Sequence, residues 1–126
     1  MESKPIRSVK YLKIYNLSFE LALKKFEITK KFPKEELYSL TDQIRRSSRS
    51  VTANISEGFA KRKYEHVFIR YLVDAIGSNE ETKTWLSFAK DFTYLSLDNY
   101  EILDSQYSEL GAMIYKLTNS WKNFAK

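Results

Sequence analysis

From Tyr100 onward, large apolar residues recur at alternating steps of three and four: Tyr100, Leu103, Tyr107, Leu110, Ile114, Leu117, Trp121 and Phe124. An α-helix brings such positions onto one side, whereas a strand would scatter them over both faces. Eight positions without a break form a heptad seam, which must be buried against other helices. The rest of the chain offers nothing that could build a different kind of partner. Its 126 residues contain three Gly and two Pro, too few for the turns of a β-sandwich, a barrel or a doubly wound sheet. Isolated glycines (Gly58, Gly77, Gly111) also exclude a glycine-rich phosphate loop. With no Cys and a single His, disulfides, thiol chemistry and the usual zinc sites are excluded too.

Three further stretches carry the same periodicity. Ile14, Leu17, Leu21 and Ile28 mark a first helix over about 14–31, widened by Phe19, Ala22, Leu23 and Phe26. Phe32-Pro33 ends it, because the residue before a proline is pushed out of the helical region. Glu35 and Glu36 suit the positive end of a second helix over about 35–57, with Leu37, Leu40, Ile44, Val51 and Ile55 as its stripe. Gly58 is placed as the residue that closes this helix. A third helix is expected over about 64–94, and a fourth over 97–124 with Ser96 as its cap. The links are short, so neighbouring helices run antiparallel. The prediction is an all-α, up-down-up-down four-helix bundle over residues 13–126, behind a flexible basic tail over 1–12. Phe19, Phe26, Val67, Ile76, Phe88, Ile102, Met113 and Tyr115 fall off the narrow stripes and point to a homo-oligomer.

Charge is segregated along the chain. Residues 1–64 carry 15 Lys and Arg against 7 Asp and Glu, while residues 65–126 carry 6 against 9. This asymmetry favours a polyanionic partner or a self-complementary assembly. No apolar run is long enough to span a membrane and no signal peptide opens the chain, so a cytoplasmic location is expected. No enzyme is expected. His66 stands at a helix start, and Glu57, Asp74, Glu80 and Glu81 accompany no nucleophile or ligand spacing. The reading therefore includes no metal, no cofactor and no small-molecule substrate.

Two groups of residues stand out on the second helix and just after it. Arg45, Arg46 and Arg49 lie within one turn of each other, and Lys61, Arg62 and Lys63 follow the helix. Together they form the candidate nucleic-acid-binding set, suited to phosphate contacts. Intrahelical pairing with Asp42 is the competing use of these arginines. Gln43, Ser47, Ser50, Asn54 and Glu57 form a polar stripe beside the apolar one. Buried polar groups need partners. The expectation is a structural network linking Gln43, Ser50, Asn54 and Glu57 to Ser78 or Glu81, with Gly77-Ser78 letting another helix come close.

The strings Phe32-Pro33-Lys34-Glu35-Glu36, Leu40-Thr41-Asp42-Gln43-Ile44-Arg45-Arg46 and Ser50-Val51-Thr52-Ala53-Asn54-Ile55-Ser56-Glu57-Gly58 carry a family resemblance. Together with Gly77-Ser78 and Glu81, they resemble the four-helix bundle proteins encoded by intervening sequences of bacterial 23S rRNA genes. Tyr15, Thr52, Ser56 and Thr82 stand where that family usually has Trp, Pro, Ala and an apolar residue. The chain is also similar to the accessory variability determinant of diversity-generating retroelements, a basic pentameric barrel that engages nucleic acid and a reverse transcriptase. The resemblance implies a cytoplasmic, non-enzymatic bundle assembled as a homopentamer, and it carries over no catalytic residue. The resulting expectation is an oligomer that binds structured RNA, with ribosomal RNA suggested by the family's genomic setting. A protein-interaction scaffold without a nucleic-acid role is the alternative.

Overall fold

The computed structural model describes residues 7–124, with side chains through Trp121. Four helices, α1 (Lys13–Thr29), α2 (Leu40–Ala60), α3 (Glu65–Asp91) and α4 (Leu97–Phe124), pack against one another. There is no strand among the described residues. Side-chain pairs fix the directions. Late α1 meets early α2 through Thr29 and Arg45, and Ser18 meets Thr52 further on. Ser47 meets Thr82 while Ser50 meets Ser78, and Asn79 meets Tyr107 while Ser87 meets Tyr100, so each consecutive pair of helices is antiparallel. The fourth side of the bundle, between α1 and α4, is the most sparsely packed.

The core follows the predicted stripes closely. Ile14 and Leu21 of α1, Ile44, Val51 and Ile55 of α2, and Phe68, Leu72, Ala75, Leu86 and Ala89 of α3 are buried. On α4, Leu103, Tyr107, Leu110 and Ile114 are buried, and Tyr100, Leu117 and Trp121 pack against them. Each fully buried aliphatic side chain contributes about 1.5–3 kcal/mol. Phe59, Phe68 and Trp121 close one end of the bundle through edge-on ring contacts, with centroids 6.3 and 4.7 Å apart. At the other end the two links meet, where the Tyr94 hydroxyl donates to Glu36 Oε2 at 2.9 Å.

The element boundaries differ from the sequence expectations at four places, each for a local reason. The tail expected to run loose to residue 12 is ordered near its end. Val9–Tyr11 form a 3-10 turn, and Leu12 is buried in the core. Residues 1–6 of that tail lie outside the described residues. Helix α2 starts at Leu40, five residues later than expected, because Lys34–Glu36 form their own 3-10 turn. Leu37 consequently stands outside α2 and is 43% exposed, not part of the core stripe. Glu36 still serves the helix start, its Oε1 accepting the Leu40 N–H at 3.3 Å.

Gly58 does not end α2, which continues to Ala60, and no glycine has a positive φ. Its role is to let α3 come close at Tyr71. Helix α3 ends at Asp91, three residues early, because Thr93 adopts φ 65°. The chain there folds back, with Thr93 N–H bonded to Lys90 O and Tyr94 N–H to Ala89 O, both at 2.9 Å. A β-branched residue in this left-handed conformation costs about 1–2 kcal/mol that glycine avoids. Thr93→Gly is therefore expected to stabilise the chain by about 1 kcal/mol, read as a raised urea midpoint at unchanged slope.

Candidate nucleic-acid interface

The six predicted basic residues fall into two groups. Arg45 and Arg49 reach across from α2 to α1, while Lys61, Arg62 and Lys63 sit in the link beyond the far end of α2. At 1.5 Å per residue the spacing from Arg45 to Lys61 is roughly 24 Å along the helix axis. They do not form one patch.

Each cation is held differently. Arg45 is the most firmly placed, since its Nε donates to Thr29 Oγ1 at 2.8 Å and its guanidinium lies 4.6 Å from the Phe26 ring centre. Arg49 lies 6.0 Å from the same ring. Neither makes an ion pair among the described residues. Arg46 faces solvent, its side chain 72% exposed, and reaches Asp42 only at 4.0 Å. An exposed pair of this kind contributes at most about 0.5 kcal/mol and leaves the guanidinium usable.

In the link, Lys61 Nζ donates to the Tyr71 hydroxyl at 3.0 Å, and that hydrogen bond raises the ammonium pKa above its ordinary value. Arg62 donates to Phe59 O at 3.0 Å and stacks 4.0 Å from the Phe59 ring. Lys63 lies near Tyr64. The link cations are thus partly used to close the bundle end.

The predicted polar network forms in part. Ser50 Oγ and Ser78 Oγ are 2.9 Å apart, and Asn54 Nδ2 donates to Ser50 Oγ at 3.2 Å. This joins α2 to α3 as expected. Glu57 and Glu81 do not take part. Glu57 is exposed, and Glu81 accepts instead from Trp85 Nε1 at 3.1 Å on its own helix. The Gln43 side chain makes no hydrogen bond among the described residues, and its backbone N–H donates to Ser39 O at 3.0 Å. Gly77 is exposed and a Cβ there would meet nothing within 4 Å, so it provides no close approach within the chain. The close hydroxyl contacts lie one turn away, where Thr82 Oγ1 is 2.9 Å from Ser47 Oγ, and on α1, where Thr52 donates to Ser18 at 2.9 Å. Small hydroxyl side chains let these helices approach while satisfying one another's polar atoms.

Two features escape a reading by apolar stripes. The first is a groove between α1 and α2, lined by Tyr15, Phe19, Ala22, Leu23, Phe26, Arg49, Thr52, Ala53 and Ser56. Phe19 and Phe26 are seven residues apart and so share a face, which was the available signal. The second is Lys25, fully buried on α1, its Nζ 5.1 Å from the Tyr107 ring centre of α4. Nothing in the local pattern separates this lysine from the exposed Lys24 beside it. Burial lowers its pKa from 10.5 to about 7, with the charge of Lys24 as a second cause. Burial also raises the Tyr107 phenol.

With this geometry in view, the comparisons place the chain among known proteins. Residues 10–116 match the 23S rRNA-intervening sequence proteins. The chain belongs to that family. A solved structure from Bacteroides thetaiotaomicron, a protein of unknown function in the S23 ribosomal protein family, has the same fold, with a TM-score of 0.77 at 24% identity. The match covers 84% of this chain and 95% of that one. No curated protein matches the chain. Among the described residues of this 23S rRNA-intervening sequence family member, no helix is long and apolar enough to cross a membrane. No group of three or more His, Asp and Glu side chains among them is placed to hold a metal ion.

Proposed function

We propose that this protein is a non-enzymatic, homo-oligomeric bundle, pentameric as the family resemblance implies, that binds structured RNA through phosphate contacts. The observation that carries this reading is the segregation of charge onto one edge. Arg45, Arg46 and Arg49 lie on α2 beside α1, and both helices belong to the basic half of the chain. Arg forks displayed without buried carboxylate partners suit phosphate oxygens, which position a protein without reading sequence. Assembly is supported by large apolar residues left in solvent on the other two helices, Phe88 on α3 and Ile102 and Tyr115 on α4. Repeating a weak site around a ring raises avidity without new contacts. Ribosomal RNA is the first RNA to try, because of the family's genomic setting, and a cytoplasmic location accords with it.

The test is fluorescence anisotropy of a labelled RNA hairpin across a salt series, with the Arg46→Glu/Arg49→Glu variant beside the parent. Arg45 is left in place because it also holds Thr29 and Phe26. Loss of two phosphate contacts per bound subunit is expected to weaken binding at least tenfold and reduce the salt slope by about 2. Light scattering first establishes that both assemble alike. Absence of binding at low salt removes the RNA reading and leaves the protein-interaction scaffold.

A further inference from the structure

The α1–α2 groove has a chemistry that narrows the kind of nucleic acid. Its floor is apolar and its rim is cationic. Phe19 is 46% exposed, with the Tyr15 ring 6.0 Å away and tilted by 39°. Further along, Phe26 is ringed by three cations: Arg45 at 4.6 Å, Lys30 at 4.8 Å and Arg49 at 6.0 Å. Ala22 and Ala53 are small and keep the space between the helices open, with a volume of about 580 Å³. No carboxylate is among the residues that line it, and Glu27 on the flank is taken by Lys30 at 3.2 Å.

A hydrophobic groove alone could take many partners. Here the uncompensated arginines set the sign of the ligand, and the exposed rings ask for flat apolar faces beside the negative charge. Base-paired RNA turns its base faces inward and offers only edges and backbone. An unpaired strand offers both, its bases stacking on aromatic rings while its phosphates meet the cations.

We infer that this groove is a binding site for unpaired RNA, with bases stacking on Phe19 and Tyr15 and the adjoining phosphates held by Arg45 and Arg49. The inference rests on the RNA-binding reading above and names the part of an RNA that the basic edge selects: a loop or single-stranded flank, not a stem.

The experiment compares a labelled oligoadenylate with a blunt RNA duplex of equal length, titrated with the parent protein, with Phe19→Ala and with Arg49→Gln. Phe19 is exposed, so its truncation leaves the core intact, and circular dichroism and light scattering check fold and assembly. Removing one stacking ring is expected to weaken binding of the single strand about tenfold and leave the duplex within about twofold. Arg49→Gln is expected to weaken the single strand and flatten its salt dependence. Equal binding of duplex and single strand, with no effect of Phe19→Ala, overturns the inference while phosphate binding stands. Failure of both RNAs to bind removes the inference together with the reading beneath it. A change in subunit count on Phe19→Ala means that a second copy covers the groove, which also overturns it.

Discussion

Replacing Lys25 by methionine is expected to make the protein more stable at neutral pH, by about 3 kcal/mol, and to flatten its pH dependence on the alkaline side. The lysine is fully buried where α1 faces α4, and its Nζ has no hydrogen-bond partner among the described residues. Its favourable contact is with the face of the Tyr107 ring, through the π-system. Taking an ammonium out of water without a counter-ion is costly, which is why its pKa falls from 10.5 to about 7.

The sign follows from linkage. Between about pH 7 and 10.5 the unfolded chain holds the Lys25 proton and the folded chain releases it, so stability rises with pH through that window. Below pH 7 both states are protonated and the penalty is carried in full. Tyr107, the titratable group facing Lys25 from α4, acts in the opposite sense at the upper end. Its raised pKa keeps the folded phenol neutral above pH 10, where the unfolded one ionises, so stability falls there. The charge of Lys24, on the same helix, adds to the lowering at Lys25.

Methionine is unbranched and only one atom shorter than lysine, so it fills most of the same space without the charge. Urea unfolding of parent and Lys25→Met at a series of pH values is the measurement. A variant that is less stable than the parent at pH 7, or that keeps the parent's rise above it, contradicts an unpaired buried amine at this position.

The contrast between Lys25 and the α4 seam shows what a sequence of this kind makes legible. Helix positions are read from apolar periodicity, and wherever the buried residue is apolar the reading holds, as at Leu103, Tyr107, Leu110 and Ile114. Lys25 falls between Leu21 and Ile28 on the inward side of α1, yet a charged residue registers as surface. Its burial is a consequence of tertiary placement that no local pattern records. The same limit applies to the arginines. Their spacing on α2 was plain, but the engagement of Arg45 with Thr29 and Phe26 depends on how α1 crosses, sixteen residues earlier in the chain.

The polar stripe was half legible for a related reason. Ser50 and Asn54 carry short side chains that act close to the helix axis, so their partner follows from helix order. Glu57 and Glu81 are long enough to choose between a neighbouring helix and local or solvent partners, and Glu81 takes Trp85. The groove is obscured in the sequence because Phe19 and Phe26, off the narrow stripe, read as an extra buried face for a homo-oligomer. Only the packing of α1 on α2 shows that these rings remain partly in solvent with cations around them.

Gly58→Ala is expected to destabilise the bundle by about 2 kcal/mol, although alanine is the better helix former. In an ordinary helix interior the exchange would gain about 1 kcal/mol. At this position a Cβ would stand 2.5 Å from Tyr71 Cβ, 3.3 Å from Tyr71 Cγ and 3.2 Å from Phe68 Cδ1. Tyr71 Cβ is fixed to the α3 backbone and cannot swing aside, so α2 and α3 must move apart. Overpacking of this kind costs about 1–3 kcal/mol and more where backbone is displaced. The separation would also strain the Phe59–Phe68–Trp121 ring contacts and the Lys61–Tyr71 hydrogen bond that close this end. Gly77 provides the internal control, being exposed within α3 with nothing near its missing Cβ. Gly77→Ala is expected to stabilise by about 0.5–1 kcal/mol, through helix propensity alone. Opposite signs for the two substitutions in denaturant unfolding would establish that Gly58 is set by the closeness of two helices. Equal gains at both positions would mean that α2 and α3 are not in contact at Gly58 as described.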